Sequence, residues 1–313
     1  MTRHKVRRAV DSWLLRLVYR NLDALIFVSK AAQERFVATW HNRIVPFPPK
    51  KMHVVHNSLN IPEIPYNAPG GSRPITGMFH GPIRPGKGLE TLIDAMSMLK
   101  GKRIRIKIVG SGNPDYLDTI RRRALSRGVM ELIDWHKHTI NPLDLIAECD
   151  FGVLPSIEEE AFGLSNLEYM AMGRPQIASS NGAQSEYISN GKEGILIPPG
   201  NPSLLAENIS KLASDEDLRL RMGKAAYDSF VDKRSWSHFI GVLKDIYTGH
   251  GKAGSKASDT KKGRQQNKIG KSEDAPSVSL SGKNSERKSS NRKGKKSKTK
   301  KREINGREKD RRR

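Results

Sequence analysis

The sequence predicts an α/β chain built on a parallel sheet with helices on both faces. Between Ile75 and Pro198, short β-rich runs alternate with helical patterns. One intervening segment sets Leu89, Leu92, Ile93, Met96 and Leu99 at helical spacing, making a single apolar face. Pro114 and Pro202 stand where a first helical turn begins, the second preceded by Asn201 as a cap.

The expected strands are ITGMF (75–79), RIKIV (105–109), ELIDW (131–135), FGVL (151–154), QIASS (176–180) and ILIP (195–198). Strands separated by helices pair in parallel and are covered on both faces. Ligands of such sheets bind in loops at the carboxyl ends of the strands.

The chain before Ile75 reads differently. Residues 3–20 read as a basic helix (Arg3, Lys5, Arg7, Arg8, Arg16, Arg20) that also carries Trp13, Leu14, Leu17 and Val18. DALIFVS and MHVVHN read as two strands around a helix at 30–40, and the prolines and glycines of PEIPYNAPGGSRP mark a linker. Two strands do not make an independent sheet domain. The expected organisation is a remnant of a first domain at 1–60, a linker at 61–74, a complete α/β domain at 75–250 and a tail at 251–313.

The charge is uneven. The tail holds 23 Lys/Arg against 7 Asp/Glu, a net of +16 out of +23 for the chain, and has no aromatic residue. It is expected to be disordered, because it has too little apolar surface to offset its ordering entropy. A solubilising tail and a loose attraction to nucleic acid or anionic lipid are its two readings. The absence of stacking aromatics argues against specific nucleic-acid recognition.

Cys149 is the single cysteine, which excludes a disulfide framework and a cysteine-based zinc site and fits a reducing cytoplasm. No apolar run reaches a transmembrane length, and Arg16 interrupts WLLRLVY, against a signal peptide. A cytoplasmic protein is expected, with the basic helix touching the inner face of an anionic membrane or packing on another domain.

HGPIRPGKG (80–88) follows a strand and opens a helix. It nearly matches GxxxxGK[ST], but Gly88 replaces the hydroxyl that would hold Mg²⁺, and Pro82 and Pro85 remove amides. What remains is Arg84 and Lys87 beside Gly81 and Gly86 at a helix N-terminus, suited to a diphosphate or simply to a solvated turn. GSGNPD (110–115) puts Asp115 where a third dinucleotide-loop glycine belongs, so a tight strand-to-helix turn is the better account.

The stretch EEEAFGLSNLEYMAMGRP (158–175) gathers four glutamates at the carboxyl edge of the FGVL strand. A helix is expected over 164–172, closed by Gly173 and stopped by Pro175. Ser165 and Glu168 fit a capping box, one account of Glu168. Glu160 lies in the loop, with no such local role.

Glu160-AFGLSNL-Glu168 resembles the E-x7-E motif of retaining GT-B glycosyltransferases of the family-4 type. LPS before it, EYMAMGRPQIAS and NGAQSEYISNGKEGILIPPGN after it resemble the same family, as do FHGPIRPGKGLETLIDAM, DALIFVSKAAQERF and VVHNSLN. The resemblance covers about residues 10–248.

It implies a GT-B architecture of Rossmann-like type and transfer of a sugar, with retention, from a UDP- or GDP-linked donor to a glycan or lipid-linked acceptor. Glu160 and the backbone of Phe162, Gly163 and Leu164, beside Ser165, would contact the sugar. Glu168 would take the ribose hydroxyls, and Arg84, Lys87 and Gly81 would hold the diphosphate. No metal and no cofactor is implied. Pro82 stands where the family commonly has arginine, so that role passes to Arg84. His4, His41, His53 and His56 do not match the family's N-terminal donor-contacting histidine.

Only about 60 residues correspond to the family's N-terminal domain, so a fragment, a misplaced start and a split enzyme completed by a partner chain are all consistent with the sequence. A non-catalytic nucleotide-sugar-binding subunit is the rival reading. The helix at Trp236–Tyr247, which crosses back onto that domain in relatives, is expected to leave Phe239, Ile240, Leu243 and Ile246 partly uncovered.

Overall fold

The computed structural model describes residues 13–14, 16–19, 21–40, 49–60 and 74–249. All belong to one unit, Met1–Lys256. The expected linker, except Pro74, and the tail at 251–313 lie outside the described residues, as does most of the basic helix, of which Trp13, Leu14 and residues 16–19 are helical.

Near the amino end, β1 (Leu25–Phe27) and β2 (Met52–Val54) pair in parallel on either side of α1 (Lys30–Trp40) in the chain, as the sequence predicts. The main sheet comprises β3 (Ile75–His80), β4 (Ile104–Val109), β5 (Ile133–His136), β6 (Phe151–Leu154), β7 (Gln176–Ser179) and β8 (Ile195–Ile197). It is wholly parallel, in the order β5-β4-β3-β6-β7-β8. One boundary moves: Glu131 and Leu132 of the expected ELIDW strand belong to the 3₁₀ turn Met130–Leu132, and pairing begins at Ile133.

Side-chain alternation along the strands builds two cores, one on each face. Phe79, Ile108, Val153 and Ile177 enter the first, with α2 (Leu89–Ser97), α3 (Pro114–Ser126) and α6 (Pro202–Ser214). Their neighbours Met78, Val109, Leu154 and Ala178 enter the second, with α4 (Leu143–Ala147), α5 (Leu164–Ala171) and α7 (Glu216–Lys233). The proline starts hold: Asn113 accepts from the amides of Asp115 and Tyr116, and Asn201 from Leu204. GSG is a structural turn, since a Cβ on Gly112 would lie 1.8 Å from the carbonyl oxygen of Ile83. The last helix, α8 (Trp236–Tyr247), has no buried residue; Phe239, Leu243 and Ile246 are half-buried and Ile240 is exposed.

The strand order locates the site. The chain runs outward from β3 through β4 to β5, then returns to place β6 on the other side of β3. Loops after β3 and β6 therefore leave the sheet in opposite directions and open a crevice between them.

Candidate active site

The two loops at this crevice are HGPIRPGKG after β3 and PSIEEEAFG after β6. Backbone bonds stitch them together: the amides of Ile157 and Glu158 both donate to the carbonyl of Gly86, at 2.8 and 3.0 Å. Gly88, which caps α2, has a left-handed φ of 73°, and a Cβ there would meet the carbonyl oxygen of Pro155 at 1.8 Å. The glycine is required twice over, by backbone conformation and by this approach.

Between the loops lies a cavity of about 350 Å³. Of the residues singled out in the sequence, Gly81, Lys87, Glu160, Phe162, Gly163, Leu164 and Ser165 line it. Lys87 and Glu160 meet directly: Nζ is 2.5 Å from Oε1, and the same oxygen accepts from the buried Ser156 hydroxyl at 2.6 Å. Arg84 and Glu168 do not line the cavity. Arg84 is half-exposed, and its Nη1 is 2.5 Å from Glu158 Oε2.

Glu168 is placed by a contact that the capping-box expectation missed. The N-cap of α5 is Gly163, left-handed at φ 86°, with no side-chain cap bond. The helix starts one residue before Ser165, whose hydroxyl donates instead to the carbonyl of His80 at 3.1 Å. Glu168 then projects toward β3, where a carboxylate oxygen pairs with His80 Nε2. His80 Nδ1 lies 2.8 Å from the Tyr169 hydroxyl, which donates to the carbonyl of Met78 at 2.7 Å. The tyrosine has one proton for these two partners, and the tautomer of His80 decides whether Nδ1 accepts it or donates to the tyrosine oxygen. Burial pushes the Tyr169 hydroxyl well above its ordinary range, which keeps that proton in place. The sequence held no local signal for His80; it joins the site because the last residue of β3 faces α5.

A family model, Glycosyl transferases group 1, matches residues 71–229, half of the chain and both loops of this crevice. The chain belongs to the group 1 glycosyltransferases. Among similar curated members, an uncharacterized glycosyltransferase of Methanocaldococcus jannaschii is 30% identical over 229 residues, covering 72% of this chain and 60% of the relative. A D-inositol 3-phosphate glycosyltransferase of Jonesia denitrificans is 29% identical, covering 64% of this chain and 51% of the relative. This glycosyltransferase chain thus spans about half to three-fifths of the length of these relatives. In fold it is similar to Anabaena HepE, solved in complex with UDP and glucose, with a TM-score of 0.68 at 20% identity over 78% of this chain and 67% of that one. The parallel six-strand sheet is the Rossmann-like sheet of GT-B glycosyltransferases.

Further residues that sequence reasoning did not assign complete the surroundings. Tyr187 stacks on Phe162 with centroids 4.9 Å apart and donates its hydroxyl to the Phe162 carbonyl, pinning the loop that follows Glu160. Glu186 joins the amino-terminal segment to the sheet. Its carboxylate accepts from the amides of Lys30 and Ala31 at 2.9 and 2.8 Å, and lies 2.9 Å from His56 Nε2. Burial alone would raise this carboxyl, but the two amides and the imidazole outweigh it and hold it below its ordinary value. The His56 ring, which the sequence did not match to the family's donor-contacting histidine, sits 5.6 Å from the Phe162 ring, centroid to centroid. Among the described residues, no group of three or more His, Cys, Asp or Glu could hold a metal ion, and no helix is long and apolar enough to cross a membrane.

Proposed function

We propose that this glycosyltransferase binds a nucleoside-diphosphate sugar, UDP- or GDP-linked, in the crevice between the β3 and β6 loops. It transfers the sugar to a glycan or lipid-linked acceptor with retention of configuration. The observation that carries this is the Lys87–Glu160 pair: a cation from the glycine-rich loop and a carboxylate from the E-x7-E loop share one cavity at the switch point.

In this reading Lys87 turns from Glu160 to the diphosphate, and Arg84 leaves Glu158 to join it. As the bond from the sugar's anomeric carbon to the diphosphate oxygen breaks, negative charge grows on the leaving group, and the two cations offset it without a metal. Glu160 is released to accept hydroxyls of the sugar, beside the backbone of Phe162, Gly163 and Leu164. Glu168, oriented by His80, accepts from the ribose hydroxyls, since both its oxygens are acceptors. Retention rests on the resemblance around Glu160 and Glu168. A UDP-linked donor is in keeping with HepE, which was solved with UDP-glucose.

Calorimetric titration with UDP and GDP, with and without EDTA, tests the reading. Binding of one nucleotide, unchanged by chelator, is expected. Binding lost with chelator overturns the metal-free step, and binding of neither nucleotide overturns the site.

A further inference from the structure

The Glu160 end of the cavity contains a side chain that none of the roles above uses. Gln184, in the 3₁₀ turn Ala183–Glu186, lines the cavity and is completely buried. Neither its amide nitrogen nor its amide oxygen has a hydrogen-bond partner among the described residues. Asn166, also buried, lines the same cavity. Its nitrogen donates to the Tyr187 hydroxyl at 2.8 Å, while its oxygen has no partner among the described residues. A polar group buried without a partner is costly, and a leucine or methionine in the same space would avoid that cost.

The position of Gln184 says what would meet it. Gly182, two residues before, packs so closely that an added Cβ would lie 2.4 Å from the Glu160 carbonyl oxygen and 2.9 Å from Gln184 Oε1. The amide of Ala183 donates to that same carbonyl at 3.1 Å. Gln184 therefore backs the Glu160 loop. Its carboxamide presents one donor end and one acceptor end, and Asn166 adds a second acceptor, all without charge. That set matches hydroxyls, which donate and accept together, and offers no counter-charge to a carboxylate or phosphate.

We infer that Gln184 is a specificity-determining residue that hydrogen-bonds a hydroxyl of the donor's sugar, with Asn166 Oδ1 as a second acceptor, so that the site takes a neutral sugar. This rests on the donor reading above. In that reading the sugar, not the nucleotide, occupies this end of the cavity, so Gln184 contributes only when the sugar is attached.

The experiment compares Kd values of wild type and Gln184→Met for UDP and GDP, and for UDP-glucose, UDP-N-acetylglucosamine, UDP-glucuronate and GDP-mannose, with thermal unfolding alongside. Wild type is expected to bind at least one neutral sugar nucleotide more tightly than its parent nucleotide, and to gain nothing from glucuronate. Gln184→Met is expected to lose about tenfold for that sugar nucleotide, with the free nucleotide unchanged within about twofold and Tm unchanged or raised. Should Gln184→Met not fold, Gln184→Asn, which keeps the amide but withdraws it by one methylene, is expected to show the same selective loss. Equal losses for nucleotide and sugar nucleotide, or none for either, would overturn the role of Gln184 alone and assign its amide to buried water. A gain from glucuronate overturns the neutral-sugar class. Failure of wild type to bind any nucleotide overturns the donor site and this role with it.

Discussion

A carboxylate oxygen of Glu168 is hydrogen-bonded to Nε2 of His80, joining the first turns of α5 to the last residue of β3 across the switch point. Both side chains are mostly buried, at 21% and 8% exposure, and the far nitrogen of the imidazole is held by Tyr169. The carboxylate is thus set in one orientation before any ligand arrives, and less ordering remains for binding to supply.

Glu168→Ala is therefore expected to weaken nucleotide binding through lost hydrogen bonds to ribose, each worth about 1.5–3 kcal/mol to a charged acceptor. Glu160→Ala should spare free nucleotide and weaken the sugar nucleotide. Titrating both variants with nucleotide and sugar nucleotide checks this. If Glu168→Ala lowers Tm while nucleotide affinity stays constant, Glu168 serves only to hold His80.

Lys87→Ala removes the partly buried cation paired with Glu160. Loss of one group that stabilises developing charge typically costs about 10²–10³ in turnover, so transfer should fall on that scale. Nucleotide affinity should fall as well, because the same cation meets the ground-state diphosphate. Donor hydrolysis and binding, each measured on wild type and variant, separate the two effects. Turnover that drops less than about tenfold would move the main counter-charge to Arg84.

The Glu186 junction carries an acid sensitivity whose sign follows from its lowered carboxyl. A depressed folded-state value contributes stability that is fully present above the unfolded value, about 4.3 for glutamate. It is lost as pH falls through the lower folded value. At pH 7, Glu186→Gln should unfold more easily than wild type, since charge-assisted bonds to two amides and His56 are weakened. The gap should close as pH falls below about 4. Parallel unfolding curves of the two proteins from pH 7 to pH 3 would count against this.

Gly88 and Gly101 offer a matched pair. Both have left-handed φ, 73° and 80°, but a Cβ at Gly88 would strike the Pro155 carbonyl oxygen at 1.8 Å, whereas Gly101 has nothing within 4 Å. Gly101→Ala should cost only the conformational strain, about 1–2 kcal/mol. Gly88→Ala should cost clearly more and weaken nucleotide binding, because the two loops must part. Chemical denaturation of both variants measures the difference, and equal losses would mean that the loops shift apart freely.

The sequence by itself determined the elements and most of the candidate wall. Hydrophobic periodicity placed α2, proline and asparagine marked the starts of α3 and α6, and β-rich runs marked all six strands, because each signal is local and survives without knowledge of neighbours. The glycines and charges at 80–88 and the spacing of Glu160 and Glu168 pointed to the crevice. The tertiary structure decided who meets whom. His80 reaches Glu168 only because β3 and β6 are adjacent despite 70 intervening residues, a consequence of strand order that no local pattern encodes. The Ser165 capping box gave way to Gly163, whose positive φ starts the helix earlier and turns Glu168 inward. Arg84, equivalent to Lys87 in sequence terms, is half-exposed at Glu158 while Lys87 lies against Glu160. Their difference is one of direction from a loop, set by packing against the β6 loop rather than by residue type.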